Sequence, residues 1–188
     1  MPVRLQSGPF DIAEEIAALT GGRADIGAVV TFTGLCRDSD HGEPVRAMTL
    51  EHYPGMAEAE INRHLEEAQR RWPLLGVTVI HRYGRLEPGD LIVLVVTASS
   101  HRADAFAAAE FLMDYLKTQA PFWKREERPD GAQWVEARAA DDDAAARWEE
   151  GTDTHARLSS SAKADDPVNN AAPNKAAVSF TGCPPPRA

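Results

Sequence analysis

The sequence predicts an α+β fold, an antiparallel or mixed β-sheet with helices packed on it. Three observations lead there. Strand-like and helix-like segments alternate through residues 1–150. Two pairs of strand-like runs are joined by Glu87-Pro88-Gly89-Asp90 and by Pro129-Asp130-Gly131, and hairpins mean antiparallel pairing. The run from Leu91 to Val96 is apolar at every position, which suits a strand covered on both faces.

Taken in order, Val3 to Gln6 reads as a short strand. Asp11 to Leu19 carries Ile12, Ala13, Ile16 and Ala17 at helical spacing, and Gly21-Gly22 stops it. Ile26 to Thr33 is a β-branched strand, and Val45 to Tyr53 is another, closed by Pro54-Gly55. Met56 to Trp72 is a long helix with a charged outer face, ended by Pro73. Val77–Leu86 and Leu91–Ala98 form the first predicted hairpin, with proline and glycine where a type II turn wants them. A helix follows from His101 to about Lys117, for which Ser100 is the natural N-cap and Asp104 suits the first turn. Phe122–Arg128 and Ala132–Ala137 form the second hairpin, and Asp141 to Trp148 a last short helix.

The chain has 188 residues and a mass of 20.5 kDa, room for one ordinary domain with some surplus. The surplus is residues 151–188, rich in Ser, Ala, Pro, Asn and Asp, with isolated apolar residues. Such a composition predicts a disordered tail, since it buries too little to offset ordering entropy. The domain is therefore expected over 1–150. A net charge of −9 argues against a nucleic-acid partner. No apolar run is long enough to span a bilayer, and the N-terminus lacks a signal-peptide core. Two cysteines, Cys36 and Cys183, make neither a disulfide framework nor a zinc signature, so a cytoplasmic setting is expected.

The average charge conceals one detail. Residues 1–150 hold 14 arginines but only two lysines, Lys117 and Lys124, close together in sequence. Lys117 shares a helical stripe with Phe106, Glu110 and Met113. Alternation puts Phe122, Lys124 and Glu126 on one strand face, with Trp123 and Arg125 on the other. His101 and Arg102 fall at a helix N-terminus, a favourable place for an anion. Arg37 follows a strand in the loop Leu35-Cys36-Arg37-Asp38, and Arg138 ends the last strand. Singly, each has a plain explanation: a capped helix, a lysine on a helix dipole, an edge-strand lysine, a surface loop. Together they offer cations from four segments that could meet at one end of a sheet, a pattern suited to a phosphate-bearing ligand or a partner's carboxylate terminus.

Other chemistries lack their motifs. The histidines show no metal-ligand spacing, and there is no GxSxG elbow, P-loop or GxGxxG, so neither a metal nor a cofactor is expected. Cys36 reads as incidental rather than nucleophilic.

In order, Gly27-Ala-Val-Val-Thr-Phe-Thr-Gly34 with Arg37, Thr49-Leu-Glu-His-Tyr-Pro-Gly-Met56, Arg71-Trp-Pro73, Val79-Ile-His-Arg82, Ser100-His-Arg102, Met113-Asp-Tyr-Leu-Lys-Thr118, Ala120-Pro-Phe-Trp-Lys-Arg-Glu126 and Trp134-Val-Glu-Ala-Arg138 resemble the catalytic (large) subunit family of molybdopterin synthase. The resemblance covers nearly all of residues 1–150 and none of the tail. It implies an α/β hammerhead-like fold and a sulfurtransferase of molybdenum cofactor biosynthesis. Such an enzyme converts cyclic pyranopterin monophosphate to molybdopterin, building its dithiolene with sulfur from the C-terminal Gly-Gly thiocarboxylate of a small ubiquitin-like subunit. It also implies a homodimer at the centre of a heterotetramer.

Carried over by motif, Phe32 lines the pocket and Arg37 binds substrate or the partner's tail, with Leu35 and Cys36 in the same loop. His101 and Arg102 hold the phosphate, supplied across the dimer interface. Met113 packs by the substrate, Lys117 is the catalytic candidate with Lys124 beside it, and Arg125, Glu126 and Arg138 complete the site. A lysine crowded by cations is pushed toward its neutral form, fit for acid–base work. Cys36 and the acidic Asp38-Ser-Asp-His41 loop with Glu43 depart from the family pattern. The competing class is a non-catalytic anion-binding or adaptor module of the same fold; an acyl- or phosphoryl-transfer enzyme lacks its nucleophile and metal signatures.

Overall fold

The apolar run beginning at Leu91 extends to Ser99, and every residue from Val93 to Ser99 is buried. Around it the structure, a computed structural model, describes residues 2–40, 42–135 and 145–148. The elements are β1 (Val3–Gln6), α1 (Ile12–Thr20), β2 (Ala28–Leu35), β3 (Ser39–Asp40), β4 (Glu43–Pro44), β5 (Ala47–His52) and α2 (Met56–Arg71). They continue with β6 (Leu74–Arg82), β7 (Gly84–Leu86), β8 (Leu91–Ser99), α3 (Arg102–Thr118), β9 (Phe122–Arg128) and β10 (Gly131–Val135).

The first sheet has the order β1-β6-β8-β2. Strands β6 and β2 pair antiparallel with β8 on its two sides, and β1 adds parallel to β6. It is thus a mixed sheet, as the sequence predicts. The period-2 alternation of β8 sends Val93 and Val95 to one face and Leu94 and Val96 to the other. The first pair packs against Ile61, Leu65 and Ala68 of α2 and Phe111 and Leu112 of α3. The second packs with Ile80 against Ile12, Ile16 and Leu19 of α1. Both faces are covered, which is why β8 needs no polar side. Trp148, from the short described piece 145–148, docks on the first core. Its ring meets Trp72 at 5.8 Å and Phe111 at 5.5 Å, and its Nε1 donates to Asp114 (2.8 Å). The rest of the last predicted helix lies outside the described residues, as does the tail.

The second sheet, β10-β9-β5-β7, is antiparallel throughout. It corrects the first predicted hairpin. Residues 77–86 read as one strand, but the chain breaks at Gly84, whose φ of 86° only glycine adopts easily. Residues before the break pair with β8, whereas Gly84–Leu86 cross over to pair with β5. The turn chemistry itself is as expected: Gly89 has φ 92°, and the Asp90 amide donates to the Glu87 carbonyl (2.9 Å). That turn therefore joins two sheets rather than two neighbours of one sheet.

A second correction concerns α3. His101, not Ser100, is its N-cap, and no side chain caps it. Ser99 Oγ instead accepts from the His101 amide (3.3 Å) while donating to the Pro73 carbonyl (3.1 Å). The strand keeps Ser99 in register, so the helix can begin only after it.

Candidate active site

Where the two sheets meet the C-terminal end of α3, an open pocket of about 320 Å³ forms. The end of β2 and the following loop contribute Phe32, Leu35, Cys36 and Arg37. From α3 come Met113, Leu116 and Lys117; from β9, Phe122, Lys124 and Glu126. Met48 and Leu50 of β5, Ile92 and Val93 of β8, and His81 of β6 complete the apolar part of the wall. Lys117 gets there because β8 runs out from the pocket and α3 runs back toward it, so that the last turn of α3 returns beside the first residues of β8. Lys124 gets there by alternation, with Phe122 and Glu126 on the same strand face.

The charges are arranged in pairs. Glu126 is only 2% exposed, and its two oxygens take Lys124 Nζ at 2.7 Å and Arg128 Nη2 at 2.8 Å. Burial works to raise the Glu126 carboxyl, but the two donors outweigh it and hold the carboxyl below the usual range. The group touching Lys124 is thus an anion, and crowding by cations does not describe its surroundings. Arg37 reaches the buried carboxylate of Asp40 at 2.5 Å while keeping most of its side chain exposed. Lys117 is exposed at the pocket edge. Cys36 is buried beneath the Arg37 and Leu86 carbonyls, and burial pushes its thiol up against the pull of Lys124. A thiol held protonated is a poor nucleophile.

Eight of the sequence-predicted site residues therefore converge: Phe32, Leu35, Cys36, Arg37, Met113, Lys117, Lys124 and Glu126. Three do not. Arg125 lies on the opposite face of β9, its guanidinium 5.8 Å from the Trp134 ring. His101 and Arg102 sit at the far end of α3, a 17-residue helix about 25 Å long, so they cannot reach the pocket of their own chain. The expectation that cations of four segments meet at one end of the sheet is corrected for these two by the direction of the helix. Arg138 lies outside the described residues.

Sequence reasoning missed three groups. Arg128 could have been found, since it extends the Lys124–Glu126 alternation by two residues. Asp40 was legible only as part of an acidic loop. His81, which the sequence marks only as lacking metal-ligand spacing and as part of the Val79–Arg82 motif, is buried, yet it lines the pocket, stacked on Phe122 with ring centroids 4.0 Å apart and 16° between planes.

A half-apolar pocket lined by Arg37, Lys117 and Lys124, built between two sheets of an α+β domain, has the form of a small-molecule site with room for an anion and an apolar body. Comparison narrows the class. The family model described as MoaE protein matches residues 5–119. The molybdopterin synthase catalytic subunit of Mesorhizobium japonicum is 63% identical over 148 residues, 78% of this chain and 92% of that protein. Among solved structures, the molybdopterin biosynthesis MoaE protein of Burkholderia ambifaria is 53% identical, with a TM-score of 0.67 over 78% of this chain and 97% of that one. Molybdopterin synthase of Staphylococcus aureus is 32% identical, with a TM-score of 0.65 over 70% and 95%. The chain belongs to the MoaE family, the catalytic subunits of molybdopterin synthase.

Proposed function

We propose that the pocket is the active site of a sulfurtransferase that converts cyclic pyranopterin monophosphate to molybdopterin. Sulfur comes from the C-terminal thiocarboxylate of a small partner subunit. The observation that carries this reading is the convergence of Arg37, Lys117 and Lys124, from three separate elements, on one pocket whose other walls are apolar. Two needs are met together. The phosphate and the partner's terminus are anions, and cations fixed in place before reaction stabilise charge that builds as the thiocarboxylate attacks the pterin side chain. The apolar walls of Met48, Leu50, Ile92 and Met113 accept the uncharged part of the substrate and keep water scarce.

Lys117 is the general acid–base candidate. Among the described residues it forms no ion pair, and it stands at the pocket edge, where an incoming terminus would pass. Lys124, tied to Glu126 and through it to Arg128, is a fixed positive charge. His101 and Arg102 fit this reading as groups a second copy of the chain lends to the pocket. Among the described residues no helix is long and apolar enough to cross a membrane, and Cys36 is a free thiol. Both suit a cytoplasmic enzyme.

The test is reconstitution of the full chain with cyclic pyranopterin monophosphate and thiocarboxylated small subunit. The wild type is expected to form dithiolene, and Lys117→Ala to lose about 100-fold or more in turnover while dimerising normally. Near-normal turnover in that variant would remove Lys117 from the mechanism. Binding of both ligands by the wild type without dithiolene would favour the adaptor reading.

A further inference from the structure

The cations of the pocket account for anions but not for the heterocycle that carries them. The Arg37 guanidinium and the ammonium forms of Lys117 and Lys124 can only donate hydrogen bonds. The two lining carboxylates are engaged: Asp40 accepts from Arg37, and Glu126 accepts from Lys124 and Arg128. A flat ring bearing N–H groups, as a pterin does, also needs an acceptor.

His81 supplies one. Its Nδ1 lies 2.9 Å from the Arg82 carbonyl oxygen. A carbonyl can only accept, so Nδ1 must hold the proton, and in a neutral ring Nε2 is then a bare lone pair. The ring is neutral because burial drives its pKa down to about 4, against the hydrogen bond to Arg82. Nε2 has no hydrogen-bond partner among the described residues, and His81 lines the pocket. Stacking on Phe122 at 4.0 Å holds the ring plane, and Phe122 lines the same wall. The tautomer, the orientation and the location thus all come from contacts that have nothing to do with a ligand.

We propose that His81 is a specificity-determining residue of the pocket, its Nε2 accepting a hydrogen bond from an N–H of the bound heterocycle. This rests on reading the pocket as a pterin site. It gives the two parts of the pocket different tasks: the cations hold the anionic end, and His81 reads the ring.

The experiment compares wild type, His81→Phe and His81→Gln in the reconstituted reaction. Phenylalanine keeps a ring against Phe122 but cannot accept a hydrogen bond, whereas glutamine can. His81→Phe is expected to raise KM for cyclic pyranopterin monophosphate about ten-fold, the loss of one hydrogen bond, with kcat within about two-fold. His81→Gln is expected to recover most of the loss. Unchanged KM in His81→Phe, or equal weakness in both variants, overturns the proposal.

Should either variant fail to fold, ¹⁵N resonances of the wild-type histidines decide the matter. Saturation with cyclic pyranopterin monophosphate is expected to shift His81 Nε2 upfield and leave Nδ1 protonated, and an unmoved Nε2 overturns the assignment. A wild type that neither binds nor turns over the pterin would bring down the pterin reading and this inference with it. A wild type that turns over with an unmoved Nε2 would bring down the role of His81 alone.

Discussion

His81 shows what a single residue can and cannot reveal before folding. In sequence it is one histidine in an apolar strand, and such a residue is ordinarily core. Nothing local shows that it lines a pocket, because that wall also needs Phe122, 41 positions away. Lys117 and Lys124, by contrast, were legible from their rarity in an arginine-rich domain. Burial of His81 also has a consequence for stability. Its folded pKa is about 4, against 6.5 for the ordinary side chain, and desolvation is the main cause. Above pH 6.5 both folded and unfolded chains hold it neutral, and the fold loses nothing. As pH falls below 6.5 the unfolded chain takes up a proton that the folded chain refuses, so stability falls until about pH 4 and then levels off for this group. At pH 5 the loss is about 2 kcal/mol. His64, lowered chiefly by burial, adds in the same direction. Urea midpoints at pH 7 and pH 5 check this: wild type is expected to lose markedly more than His81→Gln. An equal loss in both would show that His81 is not the source. Carboxylates such as Glu126, whose pKa is lowered from 4.5, lose their contribution mainly below that value, so they add little between pH 7 and pH 5.

At the scale of elements, most of the sheet was legible and its division was not. Turn residues and β-branched runs marked the strands, and the doubly apolar run found the buried strand at residues 91–99. Period-2 alternation says which face a side chain takes but not which sheet a strand joins, so residues 77–86 read as continuous. The one local signal of the break is Gly84. Its φ is 86°, and a Cβ added there would meet nothing within 4 Å. Gly84→Ala should therefore carry only the cost of a left-handed backbone, about 1 kcal/mol. Gly27 is the opposite case. A Cβ there would come within 2.3 Å of the Ser100 carbonyl oxygen, a backbone atom that cannot swing aside. Gly27→Ala is expected to cost clearly more than Gly84→Ala and to displace the start of the helix at Arg102. Thermal unfolding of the two variants separates the effects. A Gly84→Ala loss as large as that of Gly27→Ala would mean that the crossover between sheets tolerates no side chain at all.

For the whole molecule, the net charge of −9 was a poor guide to what lines the pocket. The average hides a cationic pocket in an acidic body. It also hides a separation: Lys117 lies in the last turn of the helix that Arg102 begins, so one chain holds the two about 22 Å apart along its axis. If both serve the same substrate, a second copy of the chain must bring its Arg102 to this pocket. That arrangement has a measurable signature. A dimer mixing one Lys117→Ala chain with one Arg102→Ala chain would contain one site carrying both defects and one site carrying neither. Each variant alone is expected to be strongly impaired. The mixed dimer, isolated with two affinity tags, is expected to regain about half of the wild-type turnover, one working site of two. If the residues act within one chain, every site of the mixed dimer keeps one defect and no activity returns.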